Sequence, residues 1–484
     1  MQTTDLIVFL VITGGIVLLG ASFWSRKTSS DDFTSAGGNL PGWVVGMSIF
    51  TTYVSSISFL GYPASSFSSD WNTFVFSLSI PFASIVAARY FVPFYRKQAS
   101  MSAYTFLEKR FGRWARWYAS ACYLLTQIAR VGSIVFLMAL PMNELMGWDI
   151  HTIIIVTSLA VILYSVLGGV KGVVWTETIQ GFVIIGGALI CLFMLLFNMP
   201  EGPAQVFTIA WDSNKFSLGS FSITDLNEST FWVCLIYGIF INLQNFGIDQ
   251  SYVQRYHVAR TERAARFSVL FSSYLFIPMS AVFLLIGTAL YSYYSIFPAM
   301  LPDVASDDYI FPFFIVNQLP QGFTGFLIAC IFAAGMSTVA TSINSSSTVI
   351  LNDYYRRLYP HDNDRRHMMV LKVSGVIVGL VGIIVSLALV QVDNILDAWW
   401  KLSSVFSGGM LGLFLLGFLG QRVGKIDAAI GVICGVIVIG WISAYKWLGL
   451  PNLWLHDYLA IVLGTIVIFL VGFLLGRWRF RKAV

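Results

Sequence analysis

The chemistry-bearing residues of this chain stand where polar groups are expensive. The stretch Phe50–Ser66, FTTYVSSISFLGYPASS, lies inside an apolar run from about Gly42 to Phe67, long enough to cross a bilayer. Its centre holds Thr51, Thr52, Ser55, Ser56 and Ser58, followed by Gly61 and Pro63. Hydroxyls and helix breakers at membrane depth suit a discontinuous helix lining a solute site, because hydrocarbon tolerates unpaired backbone only where protein or a water-filled cavity receives it. The same residues also suit a Ser/Thr-lined helix contact with a proline kink.

Four further features bear on that choice. Arg130, in QIARVGSIVFLM, falls midway along an apolar span, where an arginine costs at least ~2.5 kcal/mol and faces a cavity or a partner. Either it forms a salt bridge within the bundle, for instance to Glu177, or it grips a substrate carboxylate with two parallel hydrogen bonds. Glu177, in VVWTETIQG, is placed to ligate a cation, relay a proton or cap a helix start. The run Ile331–Ile350, IFAAGMSTVATSINSSSTVI, is rich in hydroxyls without an acid, and hydroxyls plus the carbonyls of an unwound helix are oxygens that Na⁺ accepts. A second interrupted span is expected at Ile239–Gly247, IFINLQNFG, with Gln244 and Asn245 as polar candidates for the substrate.

Composition says what must position these residues. The 484 residues are 57% hydrophobic and only 11% charged, against about 25% charged for soluble domains, which makes this an integral membrane protein. Apolar windows give thirteen candidate spans, at about 5–24, 42–67, 73–96, 117–146, 151–169, 173–198, 230–254, 266–293, 320–352, 370–391, 396–419, 425–446 and 456–476. The longest loop, 198–230, is too short for a soluble domain. Basic residues fall on one side: Arg26 and Lys27; Arg96 to Arg116; Lys171; Arg255 to Arg266; Arg356 to Arg366; Arg422 and Lys425; and the tail from Arg477. The opposite loops carry essentially Lys215 and Lys446. Thirteen spans with the N-terminus outside and the C-terminus cytoplasmic keep the two sets apart. The first apolar run lacks a basic leader and a cleavage site and reads as a true span. The net charge of +5 is explained by topology and calls for no nucleic-acid partner, and no obligate protein partner is evident. The five cysteines lie in apolar spans without paired spacing, so neither a disulfide framework nor a metal site is expected. No phosphate-cradling glycine loop, GxSxG or HExxH occurs, so a nucleotide-driven pump and an enzyme are both disfavoured.

YSVLGGVKGVVWTETIQG (Tyr164–Gly181), VQRY (Val253–Tyr256) and FAAGMST (Phe332–Thr338) together resemble the sodium/solute symporter family over nearly the whole chain. SDDFTSAGGNLPGW, FTTYVSSISF, SSDW, SAYTFLEKRF and the IARVGSI arginine are most similar to its bacterial sodium/sialic acid branch. The resemblance implies an all-α membrane protein with a LeuT-like five-plus-five inverted repeat. An extra N-terminal helix (5–24) would precede repeats at 42–198 and 230–419, and two C-terminal helices (425–476) would follow, in a bacterial inner membrane. It implies a sodium site from backbone oxygens at Thr51, Val54 and Ala334 with the hydroxyls of Ser337 and Thr338. It places Ser55, Ser56, Ser58 and Ser77 toward the substrate, with Arg130 on its carboxylate. A second sodium site would use Glu177 with Ser337 and Thr341. This chain departs from the branch there, with Glu177 in place of Asp and Ala340 in place of serine, and Ser77 replaces a glutamine of the substrate pocket. The function so implied is Na⁺-coupled uptake of an organic acid, sialic acid first. The alternatives are another solute (sugar, amino acid or monocarboxylate) on the same machinery, or a non-transporting sensor. A family sensor would carry a long signalling domain, which the tail RWRFRKAV after Gly476 does not provide.

Overall fold

The computed structural model describes residues 3–23, 29–98, 100–303, 306–390, 395–444 and 455–483, and among these the only β pairing is an isolated bridge between Leu40 and Ala259. Arg26, Lys27 and Lys446 of the charge pattern lie outside the described residues, as do the side chains of Arg481 and Lys482. The long apolar helices are α1 (Thr3–Ser22), the bent pair α2 (Gly42–Tyr53) and α3 (Ile57–Ser68), α4 (Asn72–Arg96), α5 (Arg113–Met146) and α6 (Ile150–Phe197). They continue with α7 (Phe231–Ile248) and its short extension α8 (Gln250–Val258), α9 (Glu262–Ile296), α10 (Phe323–Leu358) and α11 (Asp364–Ala388). A second bent pair, α12 (Leu396–Phe406) and α13 (Met410–Leu419), precedes α14 (Lys425–Ser443) and α15 (Leu459–Arg479). Among the described residues ten helices are long and apolar enough to cross a membrane, or up to twelve if each bent pair is one span, short of the thirteen expected.

The difference lies in α6. At about 1.5 Å per residue a straight helix of its length would run ~72 Å, more than twice a ~30 Å hydrocarbon core. Gly169 inside it has φ 59° and ψ −173°, a conformation that a side chain would strain. A Cβ on Gly20 would meet Tyr164 at 3.1 Å and Thr176 at 3.3 Å, two residues that a straight helix would hold ~18 Å apart. The chain therefore folds back at Gly169, where the sequence expects a span boundary.

Hydrogen-bonding side chains start the helices that surround the site. The Thr230 side chain accepts from Val233 N to open α7, Thr261 accepts from Ala264 N to open α9, and Asn363 accepts from Arg366 N to open α11, each supplying an acceptor to a backbone N–H that lacks an intrahelical one. α10 is the central post: 94% of its apolar window is buried, against 22% for α1, which lies at the rim. The α2–α3 break is packed against this post, with Ser337 of α10 donating to the Thr51 carbonyl at 3.2 Å.

Candidate functional site

The break itself follows from local chemistry. α2 ends at Tyr53, Val54 is extended (φ −82°, ψ 99°), and α3 leaves at 57° to α2. Ser55 Oγ then accepts from Ile57 N at 3.2 Å, opening the second half-helix. A β-branched residue between hydroxyl side chains gives the backbone alternatives to the helical ladder. The second break is real but displaced. α7 runs unbroken through Gln244, Asn245 and Gly247, and the chain leaves the helix at Asp249 (φ −72°, ψ 126°). Asp249 then caps α8, accepting from Ser251 N at 2.7 Å.

Between the two breaks lies a cavity of about 70 Å³ whose walls include Ser55, Ser58, Arg130, Asn245 and Thr338. Three candidates lie outside that lining: Ser56 donates to the Ile134 carbonyl on α5 at 3.1 Å, Ser77 is fully buried, and Gln244 is buried with its backbone carbonyl accepting from Asp249 N. The cavity also has an aromatic wall that sequence reasoning missed, from Tyr53, Tyr252, Trp399 and Trp400. These were hidden among the 40 Phe, 21 Tyr and 15 Trp of the chain.

Arg130 commands this cavity. Its guanidinium carbon stands 5.2 Å from the Trp399 ring centre, and Nη2 is 4.0 Å from Asp249 Oδ2. That carboxylate is already engaged, accepting from Ser251 N and, at 3.2 Å, from Gln127 Nε2. Arg130 Nη1 is buried and has no hydrogen-bond partner among the described residues. A buried donor so left costs about 1–3 kcal/mol, more for a charged group, and Arg130 lines the cavity, where a ligand oxygen can relieve it. Asp249 was legible only as a polar residue near a span end; its pairing with Arg130 is a tertiary fact.

Beside the cavity is a cluster of neutral oxygens. Ser337 Oγ bridges the Thr51 carbonyl at 3.2 Å and the Ala334 carbonyl at 2.8 Å, and Thr338 Oγ1 lies 3.2 Å from the Ala334 carbonyl. The extended Val54 turns the backbone out of the helical ladder next to them. A carbonyl from the last turn before the break, another from the post and two hydroxyls of the post are neutral oxygens of the kind a hard monovalent cation accepts. Thr338 belongs to both this cluster and the cavity wall.

Glu177 has another fate than the Arg130 bridge weighed above. It pairs with Arg255, whose Nη2 reaches both carboxylate oxygens at 2.8 and 2.7 Å. Thr341 and Ser48 hydroxyls also donate to Glu177, while Arg255 Nε donates to Ser48 Oγ at 2.7 Å and Nη1 to the Ser251 carbonyl at 2.6 Å. Glu177 is fully buried, and Arg255, counted above among the loop cations, is 4% exposed. The pair ties α6 to α8 beneath the first break. Farther toward the basic end, Arg116 binds Asp353 at 2.5 Å and Glu108 at 2.6 Å, and Arg357 joins Glu108 at 2.5 Å. Burial opposes the Glu108 charge, but the hydrogen bonds and charges of Arg116 and Arg357 hold its carboxyl below the ordinary range.

A core crossed by broken apolar helices, with a buried arginine facing a cavity beside a cation-grade oxygen cluster, defines a membrane protein built to hold a solute. The family follows from comparison. Residues 33–435 match the sodium:solute symporter family, and the chain belongs to it. It is 35% identical to the sodium/sialic acid symporter SiaT of Proteus mirabilis, across 88% of this chain and 86% of that one. Identity to the sodium/sialic acid symporter NanT of Aliivibrio fischeri is 31%, across 98% and 92% of the two chains. The substrate-bound outward-open structure of a Na⁺-coupled sialic acid symporter matches with a TM-score of 0.91 at 31% identity, covering 99% of this chain and 98% of that one. The nucleobase-cation-symport-1 transporter Mhp1 shares the LeuT-like fold alone, at 12% identity and a TM-score of 0.59 over 93% and 94% of the two chains.

Proposed function

We propose that this protein is a secondary transporter that imports an organic acid, sialic acid first, together with Na⁺. The observation that carries the reading is the buried Arg130 Nη1, a cationic donor with no hydrogen-bond partner among the described residues, on a side chain that lines a cavity between two broken helices. A carboxylate supplies the missing acceptors in the fork geometry that guanidinium favours. The similarity to sodium/sialic acid symporters supports the choice of acid. Of the polar candidates, Ser55, Ser58 and Asn245 would then meet the substrate, and Thr51, Val54, Ala334, Ser337 and Thr338 would hold Na⁺.

Sodium would tie the unwound end of α2 to α10 and favour the state that receives substrate, since a ligand shifts an equilibrium only by its differential affinity. Coupling through the shared Thr338 would be reciprocal, about 1–3 kcal/mol. Glu177, Ser337 and Thr341 stand as a second Na⁺ site only if the Arg255 guanidinium yields the Glu177 carboxylate, so one Na⁺ per cycle is the reading favoured here. The chain would cross the membrane thirteen times, counting each bent pair once and α6 twice, in two repeats at 42–198 and 230–419. Its N-terminus would lie outside and its C-terminus in the cytoplasm of a bacterial cell.

A cavity of about 70 Å³ is far below the 300–1,000 Å³ usual for ligand pockets. A nine-carbon sugar acid therefore requires the half-helices to part, whereas a small monocarboxylate requires less. Uptake of labelled sialic acid into proteoliposomes under an inward Na⁺ gradient, with K⁺ in its place as control, tests the proposal. Sodium-dependent accumulation is expected. Accumulation of lactate but not of sialic acid would move the substrate to small monocarboxylates, and accumulation equal in K⁺ would remove the coupling.

A further inference from the structure

At the basic end of the molecule, away from the transport site, a groove of about 850 Å³ lies between the segment from Asp32 to Pro41 that leads into α2, the Gly169 reversal of α6 and the start of α11. Lys171 and Lys372 stand in its walls, the first exposed and the second half-buried. Among the described residues neither lysine has an acidic side chain within 4.0 Å, although most buried basic groups at this end are paired. One carboxylate, Asp32, also lines the groove. Trp175, half-buried in the same wall, offers an indole of the kind that sits at headgroup level.

From Lys372 the outward face of α11 carries Met369, Val373, Ile377, Leu380 and Ile384, all exposed. Their helical spacing makes one apolar track, and Lys372 to Ile384 spans ~18 Å, about one leaflet of hydrocarbon. Two unpaired cations at the head of an acyl-length track match an amphiphile with a negative head, where a free anion would have no use for the track.

We propose that this groove binds the phosphate headgroup of an anionic phospholipid, with Lys171 and Lys372 on the phosphate and one acyl chain along α11. The proposal rests on the transport reading only in placing this end in the cytoplasmic leaflet; binding itself is measured without transport. Native mass spectrometry of the detergent-purified full chain would be titrated with phosphatidylglycerol, phosphatidylcholine and inorganic phosphate. Phosphatidylglycerol is expected to bind preferentially. K171Q/K372Q is expected to weaken it about thirtyfold, at about 1 kcal/mol per lysine near the surface. K171R/K372R should restore it, Asp32→Asn should tighten it, and Arg263→Gln, an exposed cation elsewhere, should leave it unchanged. Equal binding of phosphatidylcholine, or of phosphatidylglycerol to K171Q/K372Q, would overturn the proposal. So would inorganic phosphate that displaces the lipid at equal concentration. A K171Q/K372Q protein that melts normally and an active K171R/K372R protein exclude misfolding as the cause.

Discussion

Arg255 and Arg130 are both buried, both near a carboxylate, and opposite in what is left over. Every nitrogen of the Arg255 guanidinium has an acceptor: both Glu177 oxygens, Ser48 Oγ, the Ser251 carbonyl and, at 2.6 Å, Thr341 Oγ1 accept from it. Arg130 has one carboxylate at 4.0 Å, an aromatic ring beside it and, among the described residues, a donor without a hydrogen-bond partner. The first arrangement is a structural clamp, because a satisfied buried pair gains nothing from a ligand. The second leaves a deficit that an arriving acceptor would relieve, which is the role proposed for Arg130. One side chain type thus stands in two states, and the count of unmet hydrogen bonds tells them apart.

The comparison breaks most violently at the clamp. Glu177→Ala should cost about 3–5 kcal/mol, since Arg255 is left in the core with neutral acceptors and no carboxylate to balance its charge. A melting temperature well below that of the parent is expected, and the double variant Glu177→Ala/Arg255→Met should regain most of the loss. A single variant that melts like the parent would show that the pair is not a clamp. Arg130→Ala should do the reverse, leaving the melt near the parent's or above it while lowering uptake by about 10- to 150-fold, the worth of charge-assisted bonds at about 1.5–3 kcal/mol. Arg130→Lys, which keeps the charge and loses the fork, should recover little. Normal uptake by well-folded Arg130→Ala would sink the carboxylate assignment.

Smaller effects sharpen the contrast. Ser337→Ala removes one oxygen from the Thr51–Ala334 cluster and should raise the Na⁺ needed for half-maximal uptake about 2- to 10-fold, at about 0.5–1.5 kcal/mol. An unchanged sodium dependence would take Ser337 out of the site. The smallest effect concerns Glu108 at the basic end, whose carboxyl is held below its ordinary value. Its folded pKa is depressed, so its contribution is complete above the unfolded value of about 4.3 and fades as pH falls through it toward the folded value. A melt followed from pH 6 to pH 3 should therefore show a steeper acid loss for the parent than for Glu108→Gln, and parallel curves would exclude the effect.

The sequence by itself determined much of this. Apolar runs of about 20 residues read as membrane helices because a helix satisfies its own backbone in hydrocarbon, and TTYVSSIS in the middle of one forecast a broken helix that the structure places at Val54–Ser56. Arg130 stood out for the same reason, as a charge too costly to lack a purpose. What the sequence could not give was partnership. The second break was expected within Ile239–Gly247, because the amides of Gln244 and Asn245 look like interruptions, and it fell at Asp249, where a helix cap was available. Arg255 read as a loop cation until packing set it against Glu177 from a helix 78 residues away. Ser56 and Ser58 share a composition and a neighbourhood, yet one turns to α5 and the other to the cavity. Solvation cost is local and can be read from residue type and position along the chain, whereas the relief of that cost depends on which distant helix supplies the other half of each bond, and only the tertiary structure decides it.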